Sequence, residues 1–203
     1  MHPGRCCQRA GAGSLAARRN DSGETRLDNP IFTVGHSNRT IDDFIDLLRV
    51  ACIDLIVDVR RLPGSRTHPQ FDSERLAQSL AGAQIGYELV VPLGGRRGKV
   101  DAIPAETNGV WRNRSFHNYA DYALTDEFTA GLHRLITLGT ERRCGIMCSE
   151  AVWWRCHRRI IADHLLAHGI EVRHLIGKGR IEPATPTDGA VMHEDGSVTY
   201  PAS

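Results

Sequence analysis

Residues 144–176 read CGIMCSEAVWWRCHRRIIADHLLAHGIEVRHLI. Cys144 to Cys148 is an apolar run of strand length. Trp153 to Ala167 has helical spacing and stops at Gly169, which suits the left-handed residue after a helix C-terminus. Glu171 to Ile176 is a second strand-length run. Strand, helix and strand in this order form a parallel crossover unit.

The alternation recurs upstream. Ile31-Phe32-Thr33-Val34 is a strand ending in Gly35-His36-Ser37-Asn38. Thr40 is placed as an N-cap with Asp43 three residues on, ahead of helical spacing at Ile41, Phe44, Ile45, Leu47 and Leu48. Ile53 to Val59 is the next strand, before the Pro63-Gly64 turn signal. A helix from about Asp72 to Gln84 leads to a strand from Tyr87 to Val91, which breaks into Pro92-Leu93-Gly94-Gly95-Arg96-Arg97-Gly98-Lys99. Residues 100–114 are irregular, Phe116 to Leu124 is a short helix, and Thr125 caps a further helix through Phe128, Leu132, Leu135 and Ile136. The expected fold is α/β, a single three-layer domain with a mostly parallel sheet of about five strands and helices on both faces. It spans residues 30–180, between an N-terminal extension, 1–29, that reads as disordered and an irregular C-terminal tail, 181–203.

The chain has 203 residues, 41% hydrophobic and 24% charged, enough for one well-buried core. A net charge of +1 argues against a surface that coats nucleic acid but leaves room for a local basic patch. No apolar run approaches the roughly 18 residues of a membrane-spanning helix, so no membrane partner is expected. The six cysteines are Cys6, Cys7, Cys52, Cys144, Cys148 and Cys156. With this length and α/β pattern they read as reduced thiols of a cytoplasmic protein, not as a disulfide framework.

In a parallel sheet the C-terminal strand ends share one edge, where ligands bind. Polar residues collect at five such exits: His36-Ser37, Asp58 to Arg60, Gly94 to Arg97, Cys148 to Glu150, and Gly177-Lys178. Their convergence points to an enzyme site. Cys148 is the candidate nucleophile or redox thiol, because a helix start and nearby cations lower a thiol pKa. His157, His36, Glu150 and Asp58 are acid–base candidates. Arg60, Arg96 and Arg158 are candidate anion clamps, and Gly94 and Gly95 offer backbone N–H groups to a phosphate or carboxylate. Ser37 joins the ligand-binding set, and Trp153 offers a ring for stacking, while helical periodicity turns Trp154 inward with Ile161 and Leu165.

Plainer readings stand beside these: an inert cysteine at a strand end, a solvated basic loop and a core tryptophan. No cofactor is required. Zinc at Cys148, Cys156 and His157 is the metal alternative. Against it, Cys156 and His157 are neighbours on the expected helix and diverge by about 100°; sharing one ion would need an irregular helix start. His164 and His168, at i and i+4, read as a solvated helix face.

Gly35-His36-Ser37, Asp58-Val59-Arg60 with Pro63 and Ser65, Leu93-Gly94-Gly95, Cys148-Ser149-Glu150, Cys156-His157-Arg158 and Val172-x-His174 occur in this order. Together they resemble the family catalogued as domain of unknown function 488, over about residues 30–178. The resemblance implies a compact α/β fold and a shared polar site, and carries no settled activity. One stretch departs from the family: Ala151-Val152-Trp153-Trp154-Arg155 stands where many members have charged residues and a proline. The expected function is an enzyme acting on a phosphate-bearing small molecule, nucleotide or nucleic-acid fragment. The alternatives are a non-catalytic nucleotide- or nucleic-acid-binding module and a structural Cys/His cluster. The oligomeric state is left open.

Overall fold

Short runs make the strands of a central sheet, and the inner strands at Ile31–Gly35, Leu55–Asp58 and Cys144–Cys148 are buried on both faces. The computed structural model describes residues 29–64, 67–177 and 179–202, and the backbone of 18–19 and 25–26, which pair as a two-residue antiparallel ladder. Ser65, Lys178, the Cys6-Cys7 pair and the disorder expected of the N-terminal extension lie outside the described residues.

The strands β1 (Ile31–Gly35), β2 (Leu55–Asp58), β3 (Gly86–Leu89), β4 (Cys144–Cys148) and β5 (Val172–Gly177) run parallel. A sixth, β6 (Arg180–Pro183), returns antiparallel to β5. The spatial order is β3-β2-β4-β1-β5-β6. Helices α1 (Ile41–Val50) and α2 (Ser73–Gly82) cover one face, packing Phe44, Leu48, Leu76 and Leu80 with Phe32, Val34, Ile56 and Met147. Helices α3 (Arg114–Tyr122), α4 (Asp126–Glu141) and α5 (Arg158–Ala167) cover the other, packing Tyr119, Leu135, Ile161 and Leu165 with Ile31, Val57, Ile146 and Val172. The chain steps from β1 through β2 to β3 under one helical layer, then back through β4 to β5 under the other. Reversing direction and face together keeps the hand of the crossovers constant. The expected three-layer α/β fold is the observed one, and the Thr40 and Thr125 caps form: Thr40 Oγ1 accepts from the Asp43 amide at 3.1 Å and Thr125 Oγ1 from the Phe128 amide at 3.4 Å.

The C-terminal tail is a correction. Beyond β6, β7 (Val191–Met192) pairs antiparallel with β8 (Val198–Thr199), and Val198 and Tyr200 are fully buried. The Tyr200 hydroxyl donates to Asp163 Oδ2 at 2.8 Å, and the Thr187 amide to Asp163 Oδ1 at 2.9 Å. Strands of two to four residues are too short to show a period of two, so the Pro- and Gly-rich sequence reads as irregular although it closes the core over α5.

His164 lies inside this layer, not on a solvated face. It is buried with its ring edge-on to Phe128 at 4.8 Å, and burial pushes its pKa down to about 3. The unfolded chain takes up a proton near pH 6.5 that the folded chain refuses. The contribution of His164 to stability is therefore complete above that pH and declines as pH falls toward 3. Urea unfolding near pH 7.5 and near pH 4.5 should show about 2–3 kcal/mol less acid loss in His164→Phe than in the parent chain. An unchanged difference would refute the buried neutral imidazole.

Candidate active site

Because β4 lies between β1 and β2, their exits are neighbours. Backbone pairing continues past the strands: the His36 amide donates to the Cys148 carbonyl, Ser37 to Ser149 and Val59 to Met147, each at 3.0 Å. The loop after β4 then crosses the end of β1. A Cβ on Gly35 would stand 1.8 Å from the Glu150 carbonyl oxygen, so this crossing requires glycine.

The expected helix from Trp153 does not begin there. Residues Trp153–Arg155 form one 3₁₀ turn, Cys156 is extended (φ −130°, ψ 148°), and α5 starts at Arg158. The extended residue removes the divergence that a regular helix would impose on Cys156 and His157. The ligand atoms of Cys148, Cys156 and His157 all lie within 4.8 Å of one another. His157 Nδ1 is 4.0 Å from Cys148 Sγ and 3.6 Å from Cys156 Sγ. His157 Nε2 is 2.9 Å from the Val59 carbonyl. A carbonyl only accepts, so Nε2 carries a proton and Nδ1 is the ring nitrogen that faces the thiols. Tyr119 packs edge-on to the imidazole at 5.0 Å, and a Cβ on Gly95 would stand 2.8 Å from Nδ1.

The two thiols differ. The hydrogen bond to Cys156, with burial, pushes Cys148 up to about 12. Burial also acts to raise Cys156, but the Cys148 hydrogen bond and the Arg158 guanidinium outweigh it and bring Cys156 down to about 6. Of the two sulfurs, Cys156 is the one that the Arg158 guanidinium faces. Arg158 is 1% exposed; its Nη2 donates to the Glu150 carbonyl at 2.5 Å and its Nε to Cys156 Sγ at 3.3 Å. Its role is to brace the loop and balance Cys156, not to clamp a ligand.

A second cluster adjoins the first. Arg60 Nη2 donates to Asp58 Oδ2 at 2.6 Å and Nε to Oδ1 at 2.9 Å; the Arg60 amide donates to Oδ1 at 3.0 Å and the Tyr87 hydroxyl to Oδ2 at 2.8 Å. Asp58 is fully buried and its oxygens are engaged, which makes it a holder of Arg60 and not an acid–base group. Arg60 Nη1 points toward His36 Nε2 at a long 3.5 Å, and His36 Nδ1 donates to the Ser37 carbonyl at 2.9 Å. Burial pushes His36 down to about 4, so it is neutral and stacks on Phe71 at 4.1 Å. It positions the site and is a weak base.

Both clusters open into one cleft of about 840 Å³. Cys148, Cys156 and His157 line it together with His36, Ser37, Gly95, Arg60, Arg61, Arg96, Arg155 and Glu150. Four of the expected residues do not line it: Asp58, Arg158, Gly94 and Trp153. Gly94 packs against Arg61, whose Cα would be 2.9 Å from an added Cβ. Trp153 stacks on His174 at 4.0 Å and Trp154 is 45% exposed, the reverse of the expected inward Trp154, because a 3₁₀ turn does not follow helical periodicity. Of the three cations in the basic loop, only Arg96 lines the cleft. Arg97 donates to the Gly94 and Val91 carbonyls and lies over the Tyr122 ring, and Lys99 pairs with Asp101. Tyr87, Tyr119 and the Val59 carbonyl are site components that sequence reasoning missed, since only the strand order brings them here.

A parallel α/β sheet with thiols, imidazoles and guanidinium groups converging at the C-terminal edge of its strands defines the class of protein. The chain belongs to the family described as Domain of unknown function DUF488, whose family model matches residues 40–165. Asp58, Gly95, Cys148, Cys156 and His157 lie inside the match, and Gly35, His36 and His174 lie outside it. No curated protein and no solved structure matches the chain. Among the described residues, no helix is long and apolar enough to cross a membrane.

Proposed function

We propose that the protein is an enzyme that binds a phosphate-bearing small molecule, nucleotide or nucleic-acid fragment in this cleft and acts on it at the Cys148/Cys156/His157 cluster. The observation that carries the reading is the charge of the lining: four arginines, Arg60, Arg61, Arg96 and Arg155, against one carboxylate, Glu150, among the described residues. Arg60 is held on its carboxylate through Nε and Nη2, which leaves Nη1 with only the long 3.5 Å contact to His36. A guanidinium fixed in advance costs no reorganisation when an anion arrives, and its fork suits phosphate oxygens. The thiols require a reducing compartment, which favours the cytoplasm. A cluster that opens into the cleft favours chemistry over a purely structural network.

Calorimetric titration with inorganic phosphate, a nucleoside monophosphate and a short single-stranded oligonucleotide tests the reading. At least one should bind, with affinity reduced about tenfold or more in both Arg60→Lys and Arg96→Ala. Lys99→Ala, outside the cleft, should leave it unchanged. Failure of all three to bind, or equal binding in the arginine variants, would contradict it.

A further inference from the structure

We infer that Cys148, Cys156 and His157 form a three-ligand zinc site whose fourth coordination position faces the cleft. Tetrahedral zinc holds thiolate sulfur at about 2.3 Å and imidazole nitrogen at about 2.0–2.1 Å, which sets sulfur–nitrogen separations near 3.6 Å. The observed sulfur–nitrogen separations are 3.6 Å from Cys156 and 4.0 Å from Cys148, and all three ligand atoms lie within 4.8 Å of one another, so the cluster closes on an ion with movement of up to about 1 Å. The extended Cys156 supplies the irregular helix start without which adjacent ligands diverge.

The surroundings fit a metal. The Val59 carbonyl holds the far ring nitrogen of His157 at 2.9 Å, the contact that fixes a liganding imidazole in one tautomer. Arg158 Nε donates to Cys156 Sγ at 3.3 Å and offsets the charge of a second thiolate. Gly95 leaves open the space beside Nδ1 that any Cβ would enter. Two sulfurs and one nitrogen select zinc over magnesium or calcium, which take oxygen ligands. Three protein ligands with one position left open is the arrangement of catalytic zinc sites. That position faces the arginines, so it would take water or an oxygen of an anionic ligand. The inference rests on the reading of the cleft above only for this last point.

Metal analysis of the full chain, purified without a metal-affinity step from zinc-supplemented cells, should give about one zinc per chain. Zinc competition against a chromophoric chelator should show affinity at least about a hundredfold lower in Cys148→Ser, Cys156→Ser and His157→Ala, with Cys144→Ala unchanged. Cobalt added to the metal-free parent chain should give tetrahedral d–d bands and thiolate charge transfer, which needs no variant to fold. Absence of zinc together with absence of the cobalt spectrum would overturn the site, as would full zinc retention in all three ligand variants. Phosphate titration of the metal-free chain keeps the two readings apart: anion binding without zinc binding sinks only the metal site, and zinc binding without anion binding sinks only the anion cleft.

Discussion

Gly35→Ala should cost more than about 4 kcal/mol, or prevent folding altogether. The added Cβ would meet the Glu150 carbonyl oxygen at 1.8 Å, its carbon at 2.7 Å and the Ala151 Cα at 3.1 Å. These are backbone atoms and cannot rotate aside. The Glu150 carbonyl is also held by Arg158 Nη2, so moving the loop breaks that contact and disturbs the amide bonds of His36 and Ser37 to the same segment. For a domain of this size the loss corresponds to a fall of about 10 °C or more in Tm. Thermal unfolding followed by circular dichroism reads it directly. A Tm within about 2 °C of the parent would show that the loop is free to move, and the site with it.

The second large effect is at Asp58. Its carboxylate accepts from the Arg60 side chain, the Arg60 amide and the Tyr87 hydroxyl. Asp58→Ala leaves the buried Arg60 cation without its counter-charge and should cost about 3–5 kcal/mol. The figure measures a broken pair and not the net worth of an intact one, because desolvation offsets much of the attraction. Asp58→Asn keeps the shape and loses the charge, so it should also destabilise, by less. Urea unfolding of both variants supplies the comparison. Losses below about 1 kcal/mol in Asp58→Ala would mean that Arg60 is paired elsewhere or reached by water.

Much of this was open to sequence reading because each strand and helix carries its own local signal. Cys144–Cys148 is a strand with the bounds its apolar run suggests, and Thr40 and Thr125 cap the helices they precede. The site was legible as a set of strand exits, since parallel strands bring those exits to one edge. Its internal chemistry was not. That depends on β4 inserting between β1 and β2, a non-local arrangement that makes the Val59 carbonyl the partner of His157 and Tyr87 a partner of Asp58. Periodicity also misled at residues 153–157. The apolar spacing of α5 runs smoothly back into Trp154, and nothing local marks Cys156 as extended, so the side of each tryptophan and the convergence of Cys156 with His157 were both misjudged. Arg97, inside the basic loop, spends its donors on the Gly94 and Val91 carbonyls and on Glu127.

An anionic ligand held by the arginines should meet the Cys/His cluster. The most direct measurement is the long-range ¹H–¹⁵N spectrum of the histidine rings during titration with a nucleoside monophosphate and, separately, with inorganic phosphate. His157 and His36, which line the cleft, should shift together and saturate at one ligand per chain, while buried His164 and exposed His193 should not move. In Arg96→Ala the same shifts should need about tenfold more ligand. Shifts confined to His193, or none at His157 with either ligand, would contradict it.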